Sequence, residues 1–587
     1  MNIVGYFHGI DPAACLLVDG VLVAYVEEER LVRIKHAEGL FPIRSIEYCL
    51  NAGGLELEDV DCFAYGWNAP AYSDGTMAAF YDTLNATHPP DEGTLAWQQR
   101  NLSWFQQDNL TERLRSELVR HFGVEKVPPL RFYPHHRSHA VTAYHFSPFD
   151  EALVLTVDGS GDQHTTVVWE GRGTALEPLW EGCLPHSLGW FYAAITEYLG
   201  FRAYDGEYKV MGLAAYGRPD QRLRDKLAQV VAPGPHGFDF VVDPRFIHHG
   251  THTFSDRFTD DLVDLVGLSP RLGKARIEPV HEDLAFEAQR LLEETVLRLV
   301  GHFQRETGLR RLCIAGGVGL NVKMNSRLQR CGLFDDVFPF PIPSDSGVGI
   351  GAAAGIWQDE TGGRVPPLQH LHLGPSFSDD EVEETLQLCG VQYRSCDDIA
   401  DETARLLAAG KVVGWFQAGL EGGPRALGAR SILADPRHVA SRDRVNGAIK
   451  FREYWRPFCP SMTEEAAERY LVDCDRAPYM ITAFEATDAA AAEIPAVVHV
   501  DNTVRVQTVD RGANPRYRAL LEAFERHAGV PVVLNTSFNV KGEAIVNTPR
   551  DALRTFWSTG LDALAIGRCI VEKPADPRRA EPEDAVR

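Results

Sequence analysis

Ala152-Leu153-Val154-Leu155-Thr156-Val157 followed by Asp158-Gly159-Ser160-Gly161-Asp162, with the apolar run resuming from Thr165 to Trp169, is the stretch that decides the fold. Its first six residues have the length and composition of a buried strand, and an acidic glycine loop closes it. The same grammar stands at the N-terminus. Ile3 to Phe7 and Ala13 to Val18 are apolar runs, and Asp19-Gly20 separates the second from Val21 to Val26. Asp-Gly between apolar runs signals a hairpin, because a type I′ turn needs positive φ at both central positions. A strand–acidic glycine loop–strand unit therefore occurs twice, about 150 residues apart.

Working outward, the spacing of Leu284, Ala288, Leu291, Leu292, Val296, Leu299, Val300 and Phe303 predicts an amphipathic helix opening at Asp283. A strand at Leu312 to Ala315 then runs into Gly316-Gly317-Val318-Gly319-Leu320-Asn321, a loop whose glycines let backbone N–H groups approach a nucleotide. Ser344 to Gly355 repeats that logic and leads into a small-residue helix able to pack closely. Two halves facing a cleft, each offering a hairpin to phosphates, are the plan of the actin-like and sugar-kinase-like (ASKHA) ATPase folds. Two unrelated hairpins in an α/β protein are the plainer alternative. Composition shifts at Thr361 to Pro367, the expected domain boundary. Beyond it Ser378 to Leu388 and Asp397 to Ala409 read as helices, Val412 to Phe416 and Val530 to Leu534 as strands, and the tail from Pro574 as frayed.

At about 150 residues per domain, 587 residues suggest two to four domains, and 44% hydrophobic with 24% charged is ordinary globular composition. Lys and Arg number 58 against 82 Asp and Glu, a net charge of −24. Proteins that grip nucleic acid need a positive field, so nucleic acid is excluded as an expected partner. The eleven cysteines contain no C-x-x-C pair, which reads as reduced thiols. Met1 to His8 has no basic leader, and no window approaches a membrane span, so a cytoplasmic location and no membrane partner are expected.

Two clusters carry chemistry. In Pro134-His135-His136-Arg137-Ser138-His139 the two histidines four apart share a helix face and can point at one ion. A zincin would need Glu where His136 stands, so metalloprotease chemistry is disfavoured. Alone, such a pair is more often only a histidine-rich helix start. Asp158 and Asp345 each begin a glycine loop, however, and two His with two Asp suit Fe²⁺, Mn²⁺ or Zn²⁺ rather than Ca²⁺. The second cluster sets Arg425 and Arg430 among glycines, then Lys450, Arg452 and Arg456 among aromatics. Guanidinium forks bind oxyanions in bidentate fashion. Surface salt bridges are the alternative, but at ~0–1 kcal/mol each they give stability little reason to gather cations here.

These stretches, with Glu27-Glu28-Glu29-Arg30, Arg33, Lys35-His36, Glu207 to Leu213, Gly423 to Gly428 and Leu534 to Asn539, resemble the O-carbamoyltransferases of antibiotic and nodulation-factor biosynthesis. The matches run from residue 27 to 539, nearly the whole chain. The resemblance implies an α/β protein with an N-terminal Kae1-like domain of the duplicated ASKHA fold, residues 1–363, and a C-terminal YrdC-like α/β domain, residues 367–587. It implies that carbamoyl phosphate and ATP (with Mg²⁺) give carbamoyl-adenylate in the second. The first then passes the carbamoyl group to a hydroxyl of a small-molecule acceptor, a glycosylated natural product, releasing AMP. Homodimers are common in that family.

Carried over residue by residue, the resemblance assigns Arg425, Lys450, Arg456, Arg505 and Ser537 to phosphate and adenylate, and His135, His139, Asp158 and Asp345 to a metal that is iron in the family. Gly316, Gly317 and Asn321 would border the nucleotide, with Gly159 and Lys209 from the matching stretches. Arg33 and Lys35 would contact phosphate, with salt bridging to Glu27 to Glu29 as the alternative. Family members carry a His-Asp pair before the first Ala-rich strand, whereas this chain has Ile10-Asp11, leaving Asp11 or His8 as the base for the acceptor hydroxyl. Acceptor specificity is expected in cleft loops, from Asn85 to Leu110 and from Phe246 to Asp261. Two other readings keep the fold: a threonylcarbamoyl-type tRNA modification enzyme, which the charge of −24 disfavours, and a non-enzymatic nucleotide-binding switch.

Overall fold

Strands β1 (Asn2–Phe7), β2 (Ala13–Val18) and β3 (Val21–Glu27) form an antiparallel meander. Asp19 and Gly20 have φ of 48° and 82°, the doubly positive turn expected from the sequence. β4 (Cys62–Tyr65) and β5 (Leu130–Phe132) join beside β1 in parallel, giving the order β3-β2-β1-β4-β5. The second sheet repeats the plan with β6 (Glu151–Gly161), β7 (His164–Arg172), β8 (Ala175–Cys183), β9 (Arg311–Ala315) and β10 (Asp336–Pro339), ordered β8-β7-β6-β9-β10. In each sheet the meander's first strand is central and two parallel strands flank it. This is the duplicated ASKHA arrangement. The computed structural model describes residues 1–248, 256–273 and 275–573, so the Pro574 tail and the middle of the Phe246 to Asp261 segment lie outside the described residues.

Three local expectations are corrected. Asp158 to Gly161 is not a loop: β6 continues to Gly161, which pairs with His164 across an irregular register. The long helix spans Pro279–Thr307 rather than opening at Asp283, because Pro279 suits a first helical position and Glu278 and His281 cap it reciprocally. The Asn85 to Leu110 insertion is helical, taken up by helices Thr76–Thr87, Glu92–Trp104 and Gln107–Phe122.

The small-residue helix Val348–Thr361 packs closely, as its composition predicts. A Cβ on Gly5 of β1 would meet the Gly349 carbonyl oxygen at 2.0 Å, and one on Gly351 would meet that of Ser138 at 1.9 Å. This helix therefore presses β1 and helix His135–His145 together, with Asp345 leading into it.

Beyond residue 390 a third sheet forms from β11 (Arg394–Ser395), β12 (Val413–Phe416), β13 (Arg430–Ala434), β14 (Cys459–Thr463), β15 (Gln507–Val509), β16 (Val532–Ser537), β17 (Ala563–Ile566) and β18 (Cys569–Glu572). Its order is β11-β18-β17-β12-β13-β16-β14-β15. Helices Asp379–Leu388 and Pro549–Ser558 bury Val382, Leu386, Leu553 and Phe556 in one core. Helices Ile399–Ala408 and Pro515–Ala528 bury Ile399, Ala404, Leu521 and Phe524 in another. Among the described residues no helix is long and apolar enough to cross a membrane.

Candidate functional site: one cavity between a histidine–aspartate cluster and an arginine cluster

Helix His135–His145 starts without a side-chain cap on Pro134; the buried Asp162 carboxylate instead accepts the His135 backbone N–H at 3.0 Å and that of Asn68 at 2.9 Å. The second Asp of the Asp158 to Asp162 stretch thus fixes the helix end, where negative charge is favourable. Gly161 leaves room for the His135 ring, since a Cβ there would lie 1.8 Å from it. One turn apart, His135 and His139 bring their Nε2 atoms to 3.1 Å of each other, and His139 Nε2 lies 3.0 Å from Asp158 Oδ2. Asp345 Oδ1 stands 3.5 Å from both imidazoles.

All four ligand atoms lie within 4.8 Å of one another. Nδ1 of His135 faces the Gly66 carbonyl oxygen at 3.1 Å, which fixes that ring with Nε2 inward. Although burial opposes it, the Asp345 and Asp158 carboxylates raise His135 to about 10. Burial would raise Asp158, but hydrogen bonds from His135 and His139 hold it well below the carboxylate range. Two nitrogens and two carboxylate oxygens converging on one point fit a divalent cation.

The cluster borders a cavity of about 620 Å³ whose lining also includes Arg425, Lys450, Arg452, Arg456, Arg505 and Ser537. Lys450 closes a π-helical turn, Asn446–Lys450, a geometry found often at functional sites. Its buried ammonium donates among the Ser537 carbonyl oxygen at 2.6 Å, Asn539 Oδ1 at 2.7 Å, the Asn539 carbonyl oxygen at 2.9 Å and Ser537 Oγ at 3.2 Å. Lys450 is thereby committed to ordering the end of β16, and burial beside Arg452 and Arg456 pushes it well below the usual lysine range. Arg456 lies over the Tyr208 ring at 4.3 Å and pairs with Glu453. Arg505 donates to the Cys459 sulfur at 2.8 Å.

Among the described residues Arg425, Arg452 and Arg505 have no carboxylate within ion-pair distance. Burial first, and neighbouring guanidiniums second, push Arg425 and Arg452 down to about 9. Like charges are held together at a cost, which a bound polyanion would relieve.

The lining also has acidic members: Asp11, Glu27, Glu29 and Asp205. His36, in the same lining, donates Nδ1–H to Asp11 Oδ1 at 2.8 Å and Nε2–H to Asp205 Oδ1 at 3.2 Å. Burial opposes its charge, but hydrogen bonds to these carboxylates raise it to about 9.

Of the other sequence-predicted residues, Gly159, Gly317, Lys35, Lys209 and Asn321 line the cavity, while Gly316 lies just behind it. Gly316 has φ of 89° against the Val157 carbonyl, and Asn321 caps helix Val322–Gln329. Two assignments are corrected. Arg33 does not line the cavity: its guanidinium donates to the carbonyls of Ala544 and Ile545 and pairs with Asp551, tying the first sheet to the third. His8 does not line it either, being buried among Tyr6, Phe41, Tyr65 and Trp104 and pushed down to about 3 by that burial and by Arg113. Lys35 does pair with Glu29, at 3.2 Å, as its acidic neighbourhood predicts.

Further ties link the first 363 residues to the later part of the chain around the cavity. Glu27 accepts the Gly423 N–H at 2.6 Å, while Arg30, itself paired with Glu27 and Glu29, donates to the Gly423 carbonyl at 3.0 Å. Gly423, two residues before Arg425, is thus held through both its N–H and its carbonyl. Across the cavity, Lys323 pairs with Asp501 at 2.6 Å and Asn325 donates to the Ile481 carbonyl at 2.8 Å.

Sequence reasoning missed Asp205, Asn539 and the pairing of His36. His36 was visible only as part of a matching stretch, and nothing local marks Asp205.

Residues 2–354 match the family model described as Carbamoyltransferase N-terminus, and residues 404–573 match Carbamoyltransferase C-terminus. Nodulation protein NolNO of Sinorhizobium fredii is 38% identical over 98% of this chain and 80% of its own length. Nodulation protein NolO of Bradyrhizobium diazoefficiens is 39% identical over 75% of this chain and 78% of its own. An uncharacterized protein of Synechocystis is 37% identical over 99% of this chain and 98% of its own length. With both of the family's models matched in order along one polypeptide, the chain belongs to the carbamoyltransferase family.

Proposed function

We propose that this carbamoyltransferase is ATP-dependent and completes two steps in one chamber, formation of carbamoyl-adenylate (itself in two stages) and carbamoyl transfer, with the boundary between its ASKHA and YrdC-like domains at residues 363–367. Carbamoyl phosphate is first hydrolysed to carbamate and phosphate. A carbamate oxygen then attacks the α-phosphorus of ATP, expelling pyrophosphate and leaving carbamoyl-adenylate. An acceptor hydroxyl next attacks the carbamoyl carbon, giving the O-carbamoyl product and AMP. The observation that carries this reading is one cavity lined by Asp158 and Asp345 of the first cluster and by the arginine cluster.

Arg425, Arg452, Arg456 and Arg505 would bind the phosphates of both anionic substrates, with Lys450 holding Ser537 and Asn539 in place beneath them. Each donor aimed at developing charge is worth ~2.7–4 kcal/mol in a transition state. Lys209, Gly159, Gly317 and Asn321 would border the nucleotide. His135, His139, Asp158 and Asp345 would hold a divalent metal, most suitably iron, which when bound supplies Lewis-acid polarisation of the phosphate. Asp11, oriented by His36, would take the proton from the acceptor hydroxyl. Enclosure between the interdomain ties limits hydrolysis of the mixed anhydride.

Exchange of labelled pyrophosphate into ATP that depends on carbamoyl phosphate tests the first step. Lys450→Ala is expected to abolish exchange. His139→Ala is expected to spare it while blocking carbamoylation of a hydroxyl acceptor, read as a mass gain of one carbamoyl group. No exchange from folded wild-type protein, or equal loss of both activities in both variants, would reject the reading.

A further inference from the structure

The helical insertion carries a second, smaller cavity of about 390 Å³, lined by Arg100, Ser103, Trp104, Asn109, Leu110 and Arg113. Three observations say that it is built for a ligand. Trp104 is 45% exposed, a large aromatic face left to solvent. Arg113 lies over that ring at 4.6 Å, with Phe41 at 6.0 Å from the same guanidinium. Among the described residues neither Arg100 nor Arg113 has a carboxylate within ion-pair distance, in a chain whose net charge is −24.

The cavity also stands close to the reacting centre. Phe105, next to Trp104, stacks on Trp67 at 4.4 Å between ring centres, and Trp67 packs on the metal-site His135 at 4.7 Å.

We infer that this cavity is an outer subsite for the hydroxyl-bearing acceptor, and that it takes a sugar ring carrying an acid group, with the ring against Trp104 and the carboxylate or phosphate in the Arg100–Arg113 fork. An aromatic face favours the C–H side of a pyranose, and a guanidinium fork matches either oxyanion. The inference rests on the carbamoyl-transfer reading for what the ligand is used for, but not for whether it binds.

Saturation-transfer NMR titrations of the full chain with D-glucuronate, glucose 6-phosphate and D-glucose provide the test. Binding of at least one acidic sugar is expected to be tenfold or more tighter than that of glucose, and whichever of the two is tighter identifies the acid. Trp104→Ala and Arg113→Gln are each expected to weaken it at least tenfold, while carbamoyl phosphate-dependent pyrophosphate exchange stays at the wild-type level and reports an intact fold. Should Trp104→Ala not fold, Arg113→Gln, a change at a half-buried side chain, decides alone. Equal binding of glucose and both acidic sugars, or unchanged binding in Arg113→Gln, overturns the subsite. Loss of exchange in wild type with acidic-sugar binding retained would instead reject the two-step chemistry and leave the subsite standing.

Discussion

His36 shows what one side chain gains from two carboxylates. Its bonds to Asp11 and Asp205 raise it from 6.5 to about 9, so the folded state holds this proton more tightly than the unfolded one. The stabilisation is fully present below about pH 6.5 and is lost as pH rises through about 9. Its size is on the order of 3 kcal/mol. His36→Gln is therefore expected to unfold at a lower temperature than wild type at pH 6, with the difference shrinking by pH 9.5; a constant gap in thermal midpoint across that range would contradict the pairing. This residue was hard to read from sequence because its partners lie 25 and 169 positions away. Arg33 misled for the same reason: a cation beside Lys35 looks like a phosphate contact until Ala544 and Ile545 arrive from the far end of the chain.

Among the elements, β6 is the most instructive. Its apolar run and following glycines were legible as strand and turn chemistry, and its match with β1 placed the duplicated fold. That the strand carries on through Asp158 to Gly161 was not legible, because pairing with β7 rather than local propensity extends it. The extension sets Asp158 and Gly161 directly against helix His135–His145. Gly161→Ala is accordingly expected to displace the His135 ring and lower bound metal at least tenfold, measured by mass spectrometry of the purified protein. Pyrophosphate exchange should persist, since Arg425, Arg452, Arg456 and Arg505 sit on loops between strands of the third part of the chain. The cluster of His135, His139, Asp158 and Asp345 was partly legible, since two histidines four apart must share a helix face, while the convergence of Asp158 on β6 with Asp345 in the turn after β10 depends on how that sheet is assembled.

For the whole molecule, the Glu27–Gly423–Arg30 contact joins the two halves that match the family models. Glu27→Ala removes a charge-assisted bond to the Gly423 N–H, a class worth ~1.5–3 kcal/mol. It is expected to lower pyrophosphate exchange about tenfold, which corresponds to about 1.4 kcal/mol, through a higher KM for carbamoyl phosphate. Metal content should stay unchanged, and Glu27→Gln should restore most of the loss by keeping an acceptor. An unaltered KM would mean that the loop before Arg425 needs no help from the first sheet. The same grip has an evolutionary side. Because Glu27 and Arg30 clasp a peptide that belongs to the other half of the polypeptide, the halves have become dependent lodgers: separating them into two genes would strand a buried arginine and its carboxylates in one product and leave the partner's anion loop without its mooring.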